Sequence, residues 1–213
     1  MNMSMNANAN ANANESRMDR TEPKPTGWRR VKTLLHEETF GIHPRLIALN
    51  TVVGFLPRHH AMQARARLFS LAGFQIGEGT RIAAAPKING GDTLFSNLVI
   101  GKNCTIEVDC VLDLEERIVI GDRVTLSPGV MILTSTHELD IREHRAGAVQ
   151  RLPVEIGDGV WLGARCVILP GVKVGAGAIV NPGSVVNKDV TAQTRVGGSP
   201  ATQLEVLQTL ESR

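Results

Sequence analysis

The 213-residue chain has few aromatic residues: no Tyr, two Trp and five Phe. A surface that stacks nucleic-acid bases needs more of them, and the net charge of +2 gives no basic footprint for nucleic acid. The three cysteines form no CxxC pair, so the sequence predicts neither a disulfide framework nor a zinc site. No run reaches the roughly 18 apolar residues of a membrane span. These absences indicate a cytoplasmic protein that binds no nucleic acid and no metal.

The N-terminal segment, MNMSMNANANANANESR, is a low-complexity alternation of Asn and Ala. It lacks the basic and apolar regions of a secretory signal and cannot bury a core, so we expect a disordered tail over residues 1–27. Residues 28–75 predict two short helices, separated at Pro57 and ended at Gly73, that cap the base of the next domain. The second helix is basic, so association with a membrane surface stays open as an alternative to the cap.

Glycine is abundant, at 21 residues, and a strict repeat of six residues fills the second half of the chain. From Ile120 it reads IGDRVT, LSPGVM and ILTSTH, then breaks off, and resumes as IGDGVW, LGARCV, ILPGVK, VGAGAI, VNPGSV and VNKDVT. An earlier block of hexads starts at Ile76 in a shifted phase, which predicts a small bulge over residues 117–120. The first position of every hexad is aliphatic.

A period of six predicts a parallel β-helix, in which three hexads form one triangular coil; residues 76–203 then hold about five coils. The first-position aliphatic residues fill a narrow core, and Gly in the second position suits a tight corner. Cys104, Cys110 and Cys166 occupy the fifth position, where a small apolar residue is wanted, and are predicted to be packing residues. The fold class is therefore all-β, with a short C-terminal helix predicted over residues 204–213.

The stretch IGDGVWLGARCVILPGVKVGAGAIVNPGSVVNKDVTAQTRVGGSPA, residues 156–201, resembles the C-terminal half of hexapeptide-repeat O-acetyltransferases. The similar branch is that of the maltose, galactoside, nodulation, colanic-acid and capsule enzymes, and the likeness covers about residues 76–201. It implies a left-handed β-helix and transfer of acetyl from acetyl-CoA to a hydroxyl of a saccharide or related small molecule. It also implies a homotrimer with sites between subunits, and it suggests a role in surface-polysaccharide biosynthesis.

The repeat breaks off at TSTH, which resembles the T-x-x-H of this family before an extruded loop, here predicted over residues 138–155. The resemblance implies that His137 is the catalytic base. An alcohol is a weak nucleophile near neutral pH, and imidazole titrates in the range where such a base works. His144, within the loop, is the reserve candidate. The sequence does not name the group that orients His137.

Substrate contacts follow from the same resemblance, position by position. Sugar acetyltransferases of this type contact the acceptor through an Asn and an Asp, and the matching positions are Glu107 and either Asp113 or Glu115. The Asn is not kept, which distinguishes the acceptor from a galactoside or maltose. Small residues and backbone along the last coils, with one basic residue for the phosphates, are implied to bind acetyl-CoA. The residues at these positions are Trp161, Ala164, Pro182, Gly183, Asn187 and Lys188.

Three other functions stay open. Serine acetyltransferases share the fold but have a much longer helical N-terminal part than this chain. A γ-type carbonic anhydrase needs three histidine ligands for its metal, and the repeat region contains only His137 and His144. A non-catalytic scaffold would have no reason to extrude a loop directly after a histidine.

Overall fold

The computed structural model of the protein describes residues 43–139 and 145–207. They form a three-faced parallel β-helix, in which each coil adds one short strand to each of three sheets. Face A contains β1 (Gln75–Ile76), β4 (Leu98–Ile100), β7 (Ile118–Ile120), β12 (Val154–Ile156) and β15 (Lys173–Val174). Face B contains β2 (Arg81–Ile82), β5 (Thr105–Ile106), β8 (Thr125–Leu126), β13 (Trp161–Leu162), β16 (Ile179–Val180), β18 (Thr194–Gly198) and β19 (Ala201–Val206). Face C contains β3 (Lys87–Asn89), β6 (Val111–Asp113), β9 (Met131–Ile132), β14 (Val167–Ile168) and β17 (Val185–Val186).

The repeat produces this fold because its first-position aliphatic residues point inward and stack from coil to coil. On face A, Ile156 lies in register with Ile120 on one side and Val174 on the other, and all three are at most 2% exposed. Isolated hexads cannot bury such side chains, so each coil is stable only between its neighbours. The predicted fold class is confirmed, and the β-helix has about six turns, one more than the estimate of about five.

The three cysteines lie in this core as free thiols, and each is fully buried, as predicted. Burial removes a thiolate from water and so favours the protonated form. It raises the pKa of Cys104, and it raises the pKa of Cys110 to about 11 and that of Cys166 to about 12. The three thiols are therefore packing groups and are protonated at neutral pH.

The glycines in the second position of the hexad are needed because successive coils approach closely at the corners. A Cβ atom on Gly157 would lie 2.6 Å from the backbone nitrogen of Ala176, in the next coil. A side chain there would force the two coils apart. The reason for glycine at this position is thus the contact between coils.

Three excursions interrupt the hexads, and all leave at the corner between face C and the following face A, here called the CA corner. They are residues 90–97, 114–117 and 134–153. Lys87 pairs with Val111, so the first coil is one hexad longer than the plain coil that joins Val167 to Val185. The earlier block was predicted as an unbroken series of hexads, which is wrong at residues 90–97. The excursion lengthens its coil by one hexad and places the buried Leu94 at a first position, so it does not disturb the period.

The second excursion confirms the predicted bulge, although it falls at residues 114–117, slightly before the expected place. The third is an antiparallel hairpin of β10 (Ser135–Leu139) and β11 (Ala146–Arg151). The extruded loop was predicted over residues 138–155, which starts and ends too late, because Ser135 already pairs with Arg151 and Val154 has returned to face A. The tip, with His144, lies outside the described residues.

The C-terminal helix predicted from Leu204 is wrong for its first residues. Leu204–Val206 belongs to β19, which pairs antiparallel with β18 and extends face B. The physical reason is the open edge of β18, whose unpaired backbone groups bind the returning chain. Residues 208–213 lie outside the described part.

The two predicted helices before the repeat are confirmed as α1 (Pro44–Gly54) and α2 (Met62–Leu71). Gly73 ends the second helical segment with a φ of +110°, a conformation that favours glycine. The buried guanidinium of Arg65 donates hydrogen bonds to the carbonyls of Leu56, Pro57 and Ile82, which ties α2 to the first coil. The helices share one apolar core with the β-helix, through side chains such as Phe69. The tail predicted over residues 1–27 lies outside the described residues, and among those described no helix is long and apolar enough to span a bilayer.

Candidate active site

His137 lies on β10 of the hairpin, opposite Val149 of β11, and its side chain is exposed. Its Nδ1 atom is 2.9 Å from the carbonyl oxygen of Gly147. A carbonyl only accepts hydrogen bonds, so in the neutral ring Nδ1 carries the proton and Nε2 has a free lone pair. A register shift between His137 and Leu139 follows directly, and such bulges redirect side chains. The imidazole is thus held in the tautomer that a general base requires.

The carboxylate of Asp113 fixes the base of the hairpin. Its Oδ2 atom accepts hydrogen bonds from the backbone N–H groups of Thr134 and Ser135, at 3.1 and 2.9 Å, and from the Ser135 hydroxyl at 2.6 Å. The Thr134 hydroxyl, which is fully buried, donates to the carbonyl of Asp113 at 2.6 Å. Asp113 is only 7% exposed. It connects the coil below to the strand that presents His137.

Two further contacts hold the returning strand. Glu115 accepts a hydrogen bond from Nε of Arg151 at 3.0 Å, as part of an ion pair between partly exposed side chains. Leu152 packs over the following coil, where a Cβ on Gly171 would lie 3.2 Å from its Cδ1 atom. Of the three residues predicted to bind the acceptor, Asp113 and Glu115 therefore lie beneath the hairpin, and acceptor binding by them stays a prediction.

The other predicted residues fall on two different edges of the β-helix. The first edge is the CA corner, where Asn187 and Lys188 follow β17, two coils above His137, with exposed side chains. The second is the corner between faces B and C, here called the BC corner. It contains Glu107, Ala164, Pro182 and Gly183.

The BC corner forms a continuous column from coil to coil. The backbone N–H of Gly183 donates to the carbonyl of Ala164 at 2.9 Å, so these two predicted acetyl-CoA contacts are stacked neighbours. Trp161 lies beside them on face B, 46% exposed, and its Nε1 donates to the Ser127 hydroxyl at 3.0 Å. This bond fixes the indole while leaving much of the ring open to solvent.

Face C separates the two edges, so one chain does not bring all the predicted site residues together. The outward side chains of four successive face C strands are apolar and half-buried, and they lie in parallel register. These residues, here called the face C stripe, are Val111, Met131, Val167 and Val185. The outward positions of the other faces include charged residues, such as Glu155 and Lys173 on face A.

Within residues 43–139 and 145–207, no three His, Cys, Asp or Glu side chains come together as a metal ion would require. The carboxylates of Asp113 and Glu115 are instead engaged in hydrogen bonds that support the hairpin. The arrangement suits proton transfer by an imidazole.

Sequence reasoning missed Gly147 and Ser127, which position His137 and Trp161. Each contacts its partner from a neighbouring strand or coil, and the sequence does not specify which residues are placed opposite each other there. The strand pairing of His137 with Val149 follows from the length of the hairpin tip, which residue types alone do not determine. The buried Thr134 had a signal, because it is the first residue of TSTH.

The chain matches known proteins over the same regions. Residues 153–188 match the family described as bacterial transferase hexapeptide (six repeats), and residues 97–134 match the hexapeptide repeat of succinyl-transferase. Nodulation protein L of Rhizobium meliloti is 40% identical over 105 residues, 49% of this chain and 57% of that protein. Galactoside O-acetyltransferase of Escherichia coli is 30% identical over 105 residues, 49% of this chain and 52% of that protein. The chain thus spans little more than half the length of these relatives.

Solved structures extend the likeness over most of the chain. The hexapeptide-repeat-containing acetyltransferase of Vibrio cholerae superposes with a TM-score of 0.63 and 30% identity, over 80% of this chain and 97% of that one. Its complex with acetyl-CoA gives a TM-score of 0.66 at 28% identity, over 78% of this chain and 87% of that one. The repeat sequence and the superposed structures therefore lead to the same assignment, and the chain belongs to the hexapeptide-repeat transferase family.

Proposed function

We propose that the protein is an acetyl-CoA-dependent O-acetyltransferase with a saccharide or related hydroxyl compound as acceptor and His137 as general base. The observation that supports this most directly is the bond from His137 Nδ1 to Gly147, which leaves Nε2 unprotonated on an exposed hairpin. The Vibrio cholerae relative binds acetyl-CoA. No metal is needed, because the thioester is already activated.

The reaction needs one proton acceptor and one proton donor, and the same imidazole serves as both. Nε2 takes the proton of the acceptor hydroxyl while the oxygen attacks the thioester carbonyl, which gives a tetrahedral oxyanion. Collapse of this intermediate breaks the C–S bond, and the imidazolium returns its proton to the leaving sulfur. The products are the acetyl ester and free CoA thiol, and His137 is restored. The carbonyl of Gly147 stabilises the imidazolium formed between the two steps.

We further propose that the active protein is a homotrimer packed through the face C stripe. A ring of three β-helices with parallel axes, each turning face C toward the symmetry axis, brings the CA corner of one subunit against the BC corner of the next. Rotation about that axis keeps each coil at its own level. His137 of one subunit then faces the neighbour's BC corner near Ser127, and each site is shared between two chains.

In this arrangement the donor lies above His137 and the acceptor below it. Ala164, Pro182 and Gly183 belong to the upper coils of the BC corner, where acetyl-CoA would run along exposed backbone. Lys188 lies at the CA corner of the subunit that contributes His137, and its ammonium would meet a phosphate as a point charge. Glu107 belongs to a lower coil and would face the acceptor. The site residues assigned by resemblance thus form one continuous path only between two copies.

The proposed acceptor class rests on the relatives and on one residue, Glu107, that differs from the family's pattern. Galactoside O-acetyltransferase resembles this chain, which supports a sugar hydroxyl as the nucleophile. Glu107 replaces the expected Asn, so a neutral galactoside is not the favoured acceptor. A surface polysaccharide precursor suits this branch, and an acetyl-CoA donor would place the reaction in the cytoplasm.

Release of free thiol from acetyl-CoA, with a panel of sugars and with L-serine, tests the proposal. We expect thiol release with at least one sugar, and we expect His137→Gln to lower kcat by about 100- to 10,000-fold while the Kd for CoA is unchanged. His43→Gln is the matched control, since His43 also bonds a backbone carbonyl, that of Gly90, in the cap. Equal rates for wild type and His137→Gln would refute the assignment of the base. Acetylation of serine alone would favour the serine acetyltransferase alternative, and absence of CoA binding would favour a scaffold.

A further inference from the structure

A surface cleft lies away from His137, between α2 and the first coil of face B. It has a volume of about 700 Å³. Its polar lining is formed by His59, His60, Gln63, Arg67 and Arg81, and none of the described residues that line it is acidic. The remaining wall is largely apolar. A cleft with two guanidinium groups, two imidazoles and an apolar wall suits an anionic group attached to a larger organic molecule.

The cationic side chains come from separate elements that the fold brings to one place. Arg67 lies on α2, whereas Arg81 lies on β2 and donates a hydrogen bond to the Thr105 hydroxyl at 3.1 Å. His59 has a φ of 63°, in the left-handed region that few residues other than glycine adopt. This conformation belongs to the turn that connects α1 to α2.

His59 connects this cleft to the BC corner. Its backbone N–H donates to the carbonyl of Ala83 at the corner of the first coil, and its Nδ1 is 3.8 Å from a carboxylate oxygen of Glu107 in the second coil. His59 therefore links the cleft to Glu107, the residue that resemblance assigns to the acceptor. Neighbouring strands are 4.7–4.9 Å apart, so the cleft lies roughly 10 Å below the coil that presents His137.

From this placement we propose that the cleft binds a phosphate or pyrophosphate group of the acceptor, about 10 Å from the hydroxyl that is acetylated. The proposal rests on the proposed function, in which a neighbouring subunit brings His137 to the BC corner. Acetyl-CoA follows the upper coils, so its phosphates lie away from the cleft. The acceptor is then a phosphorylated sugar, and Arg67 and Arg81 distinguish it from the neutral sugar.

The first experiment compares three acceptors that share one sugar: N-acetylglucosamine, its 1-phosphate and its UDP derivative. Thiol release gives kcat/KM for each, and we expect the wild-type protein to prefer the phosphorylated forms by about 10- to 100-fold. Arg67→Gln and Arg81→Gln should each lower the ratio of kcat/KM, phosphorylated over neutral, by about 10-fold. Preference for the UDP derivative over the 1-phosphate would identify a nucleotide as the source of the phosphate, and the reverse order a simple phosphate ester.

Arg123→Gln is the matched control, because Arg123 is an exposed arginine that faces Asp158 at another corner, and the ratio should not change. A wild-type ratio near one, or a ratio that both cleft variants leave unchanged, would overturn the proposal. If none of these three compounds is acetylated, the panel of sugars decides the proposed function separately, and a binding measurement decides the role of the cleft. Calorimetric titration with pyrophosphate, in the presence of saturating CoA, should show binding that the double variant Arg67→Gln/Arg81→Gln loses. No binding to the wild-type protein would show that the cleft is not an anion site.

Discussion

The hydroxyl of Ser135 lies 2.6 Å from the carboxylate oxygen Oδ2 of Asp113. Ser135 precedes His137 by two residues on β10. The Asp113 oxygen also accepts two backbone N–H groups, so one buried carboxylate determines where the hairpin leaves the β-helix. Bonds to an ionised acceptor are about twice as strong as neutral ones. The position of the imidazole thus depends on a charge in the coil below it.

We therefore predict that Asp113→Asn lowers kcat for acetyl transfer by roughly 10-fold and the free energy of unfolding by about 1–3 kcal/mol. The matched control is Asp122→Asn, since Asp122 accepts the N–H of Lys102 at 2.7 Å at a corner without site residues. Steady-state kinetics and urea denaturation measure the two quantities. Unchanged kcat in Asp113→Asn, with the stability reduced, would show that this carboxylate supports the fold without positioning His137.

A charge in the face C stripe should separate the proposed trimer. Met131→Lys places an ammonium group among apolar neighbours that the proposed interface buries, and an unpaired buried charge costs several kcal/mol. Val119→Lys is the control, because Val119 points outward on face A beside Glu155. Sedimentation velocity should show a trimer for wild type and Val119→Lys, and a monomer without activity for Met131→Lys. A trimer in all three would contradict the interface.

The buried thiols predict a loss of stability at alkaline pH. An ordinary thiol has a pKa near 9.0, whereas burial raises the pKa of Cys110 to about 11 and that of Cys166 to about 12. Above pH 9 the unfolded chain releases these protons and the folded chain does not, so the stability present below pH 9 is lost as the pH rises toward 11. The slope is about 1.4 kcal/mol per pH unit for each thiol. Urea denaturation at pH 8, 9 and 10 should show this decline, and the double variant Cys110→Ala/Cys166→Ala should show a shallower one.

The close approach of coils at Gly157 predicts that Gly157→Ala destabilises the fold by about 1–3 kcal/mol, as overpacking does in cores. Gly54→Ala gives the comparison, because a Cβ atom at the end of α1 would meet no atom within 4 Å. That variant should be neutral or slightly stabilising, since alanine favours a helix more than glycine does. Thermal denaturation of both proteins measures the difference. Equal melting temperatures would contradict the role assigned to this corner.

The repeat predicts the faces well because one physical constraint, a narrow apolar core, recurs at every first position. Ile120, Ile156 and Val174 follow it, and so do the buried cysteines. The excursions are harder to predict, since residues 90–97 preserve the period while they leave the faces. Leu94 is buried and occupies a first position, although it lies in no strand. The hexad pattern predicts burial at that position and does not predict whether the neighbouring residues form a strand.

The candidate site likewise contains residues that the sequence predicts and residues that it does not. His137 is recognisable from TSTH and from the break in the repeat, because both belong to the local sequence. Its partner Gly147 is a backbone carbonyl across a hairpin, and any residue type offers one. Glu107 and His137 lie at different corners of the β-helix in one chain, and a contact between two copies, as in the proposed trimer, would leave little trace in the sequence of one.

The strand β19 has a consequence for the length of the molecule. A parallel β-helix whose last coil ends in open backbone can be extended by another chain, in the way that exposed strand edges aggregate. Here face B ends in a strand that runs in the opposite direction, and the base is covered by α1 and α2. A second copy that stacks end to end would find no parallel strand to extend on face B. A solenoid whose repeat could in principle continue without limit is therefore closed on this face by its own last strand.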